Sequence, residues 1–193
     1  MLIRAVLDAF LSSQEETLFG DFMEGVAIFV CGQVFGGERV TPGELPGIDL
    51  RFWRDNHIYI VEIKAGPNWG NSSQIKQMRL NFQSAIETLS LKHPGTRIIA
   101  VNGCMYGKES NPQKDGYLKL CGQSFWELIS ASTTLYTDII EPLGHQAKIK
   151  NDEFEQAYAR LVNRFVAQFI QSFCHPNGAV DWERLVRWTS QKA

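Results

Sequence analysis

Gly47 to Asn71 reads GIDLRFWRDNHIYIVEIKAGPNWGN, and this stretch decides the fold class. Its first part is rich in Ile, Val, Phe, Trp and Tyr, which suit a pleated, half-buried surface, while Asp55-Asn56 midway are residue types that tolerate a tight reversal. The pattern predicts a β-hairpin from Ile48 to Lys64. With Asp55 and Asn56 as the turn, Arg54 pairs with His57, Phe52 with Tyr59, Leu50 with Val61 and Asp49 with Glu62. Cross-strand neighbours have Cβ atoms about 4.5–5.5 Å apart, and like charges placed there need compensation, for which a metal ion is the natural source. Strand alternation puts Glu62 and Lys64 on the face of Asp49, and sends Tyr59, Val61 and Ile63 with Ile48, Leu50 and Phe52 to the core.

Outward from the hairpin the order is α/β. Leu18, Phe22, Val26, Phe29 and Val30 recur at helical spacing, predicting a helix from Gln14 to Val30 that backs the sheet. A Gly/Pro-rich connection, Gly36 to Gly47, delivers the chain to the hairpin. After it, Ile75, Met78, Phe82, Ala85, Ile86 and Leu89 mark one face of a helix with Asn71 or Ser72 as N-cap. Arg97 to Met105 is a third strand, reached by a helical crossover and therefore parallel to the second. Tyr106 to Cys121 has no clear period and is expected to be a loop-rich insertion carrying Lys108, Lys114 and Lys119. The remainder is helical: Phe125 to Ser130, Leu135 to Pro142, a long amphipathic helix from Phe154 to Phe173, and Asp181 to Ser190. The sum is a mixed β-sheet core flanked by helices with a helical C-terminal part.

Composition bounds the rest. The 193 residues, 44% hydrophobic and 21% charged, can bury a core and are expected to form a single domain, 1–193. No run of 18 apolar residues and no cleavage site after the first ten residues predicts neither a membrane span nor a signal, so the expected location is cytoplasmic. A formal net charge of −2 disfavours a non-specific nucleic-acid binder, yet allows basic side chains to line one cleft. Cys31, Cys104, Cys121 and Cys174 lack zinc spacing and are expected to be reduced and mostly buried. The four histidines are scattered, and no P-loop, G-x-S-x-G elbow or dinucleotide fingerprint is present.

The order Gly47-Ile48-Asp49, twelve residues, then Glu62-Ile63-Lys64 resembles the PD-(D/E)XK nuclease motif, and Ala65 to Ser72 resembles the segment next to that motif in type II restriction endonucleases. Gly122 to Glu127, Ile140 to Leu143 and Val180 to Trp182 extend the resemblance over most of the chain. Pro46 departs from the motif, lying three residues before Asp49 instead of next to it. The resemblance implies a restriction-endonuclease-like fold and a catalytic set of Asp49, Glu62 and Lys64. Asp49, Glu62 and the backbone carbonyl of Ile63 would be the metal ligands. Hard oxygen donors suit Mg²⁺. A third acid is left open among Glu15, Glu16 and Glu24, each of which also fits a solvated helix face.

The substrate so implied is double-stranded DNA. The long apolar C-terminal helix is expected to belong to the core, and its width also permits a homodimer interface, which would suit an enzyme that cuts both strands of a symmetric site. A repair nuclease of the same fold and a non-cleaving binding module are the alternatives. Asn68, Asn71, Ser72 and Ser73 could hold a phosphate at a helix start, or serve only in turn and cap chemistry. Lys76 and Arg79 could extend a positive rim, and Lys108 and Lys114, with Asn111 and Gln113, could reach base edges or simply be solvated. Trp69 either stacks on nucleic acid or covers the core.

Overall fold

The computed structural model describes residues 2–41, 43–140 and 147–191, the side chains of 2–16, 147–153 and 155 excepted. Two compact units divide the chain: Glu16–Glu141, and Met1–Glu15 with Pro142–Ala193. The elements are α1 (Leu2–Phe35), β1 (Glu38–Arg39), β2 (Leu50–Arg54), β3 (His57–Lys64), α2 (Ser72–Lys92), β4 (Arg97–Cys104), β5 (Gln113–Lys114), β6 (Tyr117–Cys121), α3 (Gln123–Ser130), α4 (Leu135–Asp138), α5 (Ala147–Phe173) and α6 (Trp182–Ser190). One mixed six-stranded sheet runs β1-β2-β3-β4-β6-β5. Its β1–β2, β2–β3 and β5–β6 contacts are antiparallel, and its β3–β4 and β4–β6 contacts parallel. This is the α/β architecture the sequence predicts.

The hairpin register is also the predicted one, with Leu50 opposite Val61, Phe52 opposite Tyr59 and Arg54 opposite His57. Asp55 (φ 52°) and Asn56 (φ 60°) are both left-handed, the backbone of a type I′ turn whose twist matches the flanking strands. Replacing Asn56 with glycine removes the remaining Cβ penalty of this conformation and should raise stability slightly. Thermal melting checks this.

Alternation holds on β3, but both of its faces are buried, because helices cover the sheet on each side. Ile58 and Ile60 pack with Met78, Phe82, Ala85 and Leu89 of α2 and with Ala100 of β4. On the opposite face Phe52 stacks on Phe35 and Tyr59, and Gly103 approaches Phe125 so closely that a Cβ there would lie 2.4 Å from the ring. Glu62 and Lys64 thus continue the α2-facing row of Ile58 and Ile60, rather than occupying a face reserved for chemistry. Ile48, expected with Leu50 and Phe52, instead joins Ile58 and Ile60. The strand begins only at Leu50, and the chain enters it through Gly47, whose φ of 74° takes Ile48 out of the alternation.

Three further differences have local causes. α1 begins at Leu2 and continues to Phe35, past the predicted Gln14 to Val30, and stops where Gly36 turns left-handed at φ 65°. Thr17–Phe35 is long and apolar enough to cross a membrane by length and composition, unlike the expectation from the sequence; Met23, Ala27 and Cys31 within it are buried, while Leu18, Phe22 and Phe29 are exposed. The predicted loop Tyr106 to Cys121 contains β5 and β6, joined by the turn Asp115-Gly116. β6 pairs with β4 in parallel and β5 only with β6, so the short strands depend on a partner outside the segment and local periodicity does not reveal them. Leu135 to Pro142 is helical over Leu135–Asp138, and its last two residues lie outside the described ones.

In the other unit, α5 turns at His175–Gly178 into α6, which Asp181 caps by accepting from the Arg184 N–H at 3.0 Å. Phe173 meets Trp188, ring centroids 5.3 Å apart.

Candidate functional site

β3 ends at Lys64, and the three residues singled out by spacing meet there. Lys64 Nζ lies 2.8 Å from Glu62 Oε1, as i, i+2 neighbours on one strand face permit. The Glu62 side chain is only 10% exposed, and its second oxygen, Oε2, is buried without a hydrogen-bond partner. A buried carboxylate oxygen with no donor is costly, so this atom asks for a cation.

Asp49 departs from simple pairing with Glu62. The ladder ends at Leu50 and Val61. Beyond it the Asp49 N–H donates to the Val61 carbonyl at 2.9 Å, and Asp49 Oδ2 accepts from the Ile63 N–H at 2.6 Å. Asp49 therefore reaches diagonally across the strand end and stays close to both Glu62 and Lys64. Burial pushes its carboxyl up to about 6; the Ile63 hydrogen bond pulls it back, Glu24 raises it, Lys64 lowers it and Glu62 raises it. A carboxyl so placed is short of positive charge.

Of the three acids left open on α1, Glu24 is the one whose side chain is among the described residues, and its charge is felt by Asp49. Its Oε1 lies 2.5 Å from Nη1 of Arg39 on β1. The side chains of Glu15 and Glu16 lie outside the described residues. Among the described residues no three of His, Cys, Asp or Glu converge as a metal-holding group. Asp49 and Glu62 are hard oxygen donors of the kind a divalent cation takes, and the unpartnered Glu62 Oε2 leaves one of those oxygens free for it.

Asn102 was not among the residues the sequence singled out. It sits opposite Glu62 in the parallel β3–β4 register, is 1% exposed, and its amide nitrogen lies 3.4 Å from the Glu62 carbonyl. Trp69 Nε1 donates to Asn102 Oδ1 at 3.1 Å, and the Trp69 ring packs against the α2-side core with Lys64 Nζ 5.0 Å from its centroid. Trp69 thus covers the core. The signal for Asn102 was a lone amide inside the apolar run RIIAVNGCM.

The loop after β3 is pinned from one side. Lys119 Nζ donates to the Pro67 carbonyl at 2.8 Å, and Gly66 lies so near Tyr106 that a Cβ would come within 2.5 Å of its ring.

The other candidates divide. Asn71 is the N-cap of α2: Oδ1 accepts from the Ser73 and Gln74 N–H groups, and Gln74 returns a bond to the Asn71 N–H at 2.9 Å. Ser73 Oγ also donates to Asn71 Oδ1, at 2.7 Å, so both side chains serve the cap. Asn68, Ser72, Lys76 and Lys108 are exposed. Arg79 pairs with Asp115 at 3.5 Å, and Lys114 with Glu109 at 3.2 Å. All four cysteines are free, with burial pushing Cys31 and Cys104 up to about 12.

Residues 1–151 match the family model described as Type II restriction endonuclease EcoO109I. No curated protein matches the chain. The matched span includes the whole hairpin, the loop and the sheet, and the chain belongs to this family of type II restriction endonucleases, hydrolases that cleave DNA and generally use a divalent metal.

Proposed function

We propose that the protein is a Mg²⁺-dependent, sequence-specific endonuclease that hydrolyses phosphodiester bonds in double-stranded DNA, with Asp49, Glu62 and Lys64 as its catalytic set. The observation that carries this reading is the buried, unpartnered Glu62 Oε2 beside Lys64 and Asp49 at the end of β3. Asp49, Glu62 and the Ile63 carbonyl would hold the ion. When bound it polarises the scissile phosphate and lowers the pKa of an attacking water.

The chain's own residues supply the rest. The Ile63 N–H orients Asp49, and Glu62 Oε1 draws the Lys64 ammonium to the strand end. There Lys64 places positive charge where the phosphodiester oxygens gain negative charge. Glu24 is close enough to act on Asp49 and would be a candidate third acid of the site. Backbone phosphates would meet Asn68, Ser72, Lys76 and Lys108, with Asn71 and Ser73 presenting the N-terminus of α2 and Arg79 and Lys114 joining once they leave their acidic partners.

Cutting both strands of a symmetric site suits a homodimer, and exposed Phe154, Leu161, Phe165 and Ile170 on α5 offer apolar surface for one. Such an enzyme would act in the cytoplasm.

Incubation with Mg²⁺ and a long duplex of known sequence tests the reading. Discrete fragments are expected. End trimming or smearing would replace it with a repair-type nuclease, and binding without cleavage under any divalent metal would replace it with a non-cleaving module.

A further inference from the structure

We infer that Trp69 is a positioning residue that holds the Lys64 ammonium at the end of β3, and that Asn102 locks Trp69 in place for that task. The inference rests on the reading of Lys64 as a catalytic residue. Lysine is a point charge on a flexible four-carbon stem, so a lysine at a strand end is not placed by its backbone alone. Two partners restrain Lys64: Glu62 Oε1 at 2.8 Å and the Trp69 ring, whose centroid lies 5.0 Å from Nζ. Their roles differ. Glu62 is also the residue whose other oxygen needs a cation, so its hold on Lys64 weakens as that need is met. An indole face binds an ammonium through its quadrupole and has no competing ligand to serve.

The ring is fixed independently of Lys64. Its N–H donates to Asn102 Oδ1 at 3.1 Å, and Asn102 is 1% exposed and stands in register with Glu62. Asn102 also reaches the Glu62 carbonyl at 3.4 Å. The same buried amide thus ties Trp69 to the strand position that carries Glu62, so β3–β4 pairing helps to set where the ring stands beside the ammonium. Lys119, bonded to the Pro67 carbonyl, restrains the loop two residues before Trp69. With its N–H on Asn102 and its ring beside Lys64, Trp69 serves the protein, not a DNA base.

Two measurements test this. In protein labelled with ¹³C-lysine, one lysine ε-methylene signal is expected to be displaced upfield by the indole ring current. It should vanish in Lys64→Ala and return to the main group in Trp69→Leu. In single-turnover cleavage, Trp69→Leu should slow the cut about 10-fold with metal-free DNA affinity unchanged, and Trp69→Phe, which keeps an aromatic face, should recover part of the rate. Should Trp69→Leu not fold, Trp69→Phe and Asn102→Ala carry the test, since both leave the ring unanchored and should reduce the displacement of the Lys64 signal. Absence of any displaced lysine signal overturns the inference. So does Trp69→Leu cutting at the wild-type rate while Lys64→Ala is inactive. Cleavage retained by Lys64→Ala would instead remove Lys64 from the proposed catalytic set, a separate failure, with the ring-current result still deciding the geometry.

Discussion

Glu62→Ala and Lys64→Ala are each expected to lower duplex cleavage by roughly 10³-fold or more while the protein stays folded, the loss expected when charge aimed at a transition state is removed. Neither substitution should unfold the sheet. Glu62 Oε2 makes no hydrogen bond, so its removal breaks no donor contact at that atom, and the loss of Oε1 frees an ammonium that is 30% exposed and can turn to water. Lys64→Ala takes the ion-pair partner from a nearly buried carboxylate and so costs some stability. Stability should therefore hold or rise in Glu62→Ala and fall modestly in Lys64→Ala. Circular dichroism melts and single-turnover cleavage with Mg²⁺ measure both quantities. Retained cutting in either folded variant would overturn the proposed catalytic set.

The sequence made the hairpin legible because its determinants are local. A reversal at Asp55-Asn56 fixes the count outward, and β-branched and aromatic residues fill both arms, so Leu50 opposite Val61 follows from arithmetic. The same count stops working one residue later. Asp49 is past the last paired position, and its place depends on the Gly47 turn and on a side-chain bond to the Ile63 N–H, neither of which alternation encodes.

The α2 face of the site was legible in the same limited sense. Helical spacing gave Met78, Phe82, Ala85 and Leu89, while the assignment of Ile48 and the burial of both sheet faces depended on which helices cover the sheet. β5 and β6 were not legible, since β6 exists through its parallel partner β4; the Asp115-Gly116 dipeptide was the one local cue. Asn102 belongs with them. Its importance comes from standing in register with Glu62 across a strand-helix-strand crossover, a relation visible only after folding.

Asp49→Asn should abolish cleavage and yet make the metal-free protein more stable at pH 8, by about 1–3 kcal/mol. The folded carboxyl holds its proton up to about 6 instead of the ordinary 3.8, a difference of about 2 units, or about 3 kcal/mol at 1.36 kcal/mol per unit. The sign comes from where the proton is held. Between the two values the folded state keeps a proton that the unfolded chain releases, so wild-type stability falls as pH rises from about 4 to 6 and is then level. Asparagine carries no charge to desolvate and can still accept from the Ile63 N–H through its amide oxygen. The two melting curves should accordingly coincide at about pH 4 and separate by pH 6. Mg²⁺ should close the gap from the wild-type side, because an ion bound only by the folded state stabilises it by mass action, whereas the asparagine variant should show little response. Thermal melts across that pH range, with and without Mg²⁺, read out every arm. A variant less stable than wild type at pH 8, or one that gains as much from Mg²⁺, would mean that Asp49 is not the burial-strained ligand inferred from its place at the end of the sheet.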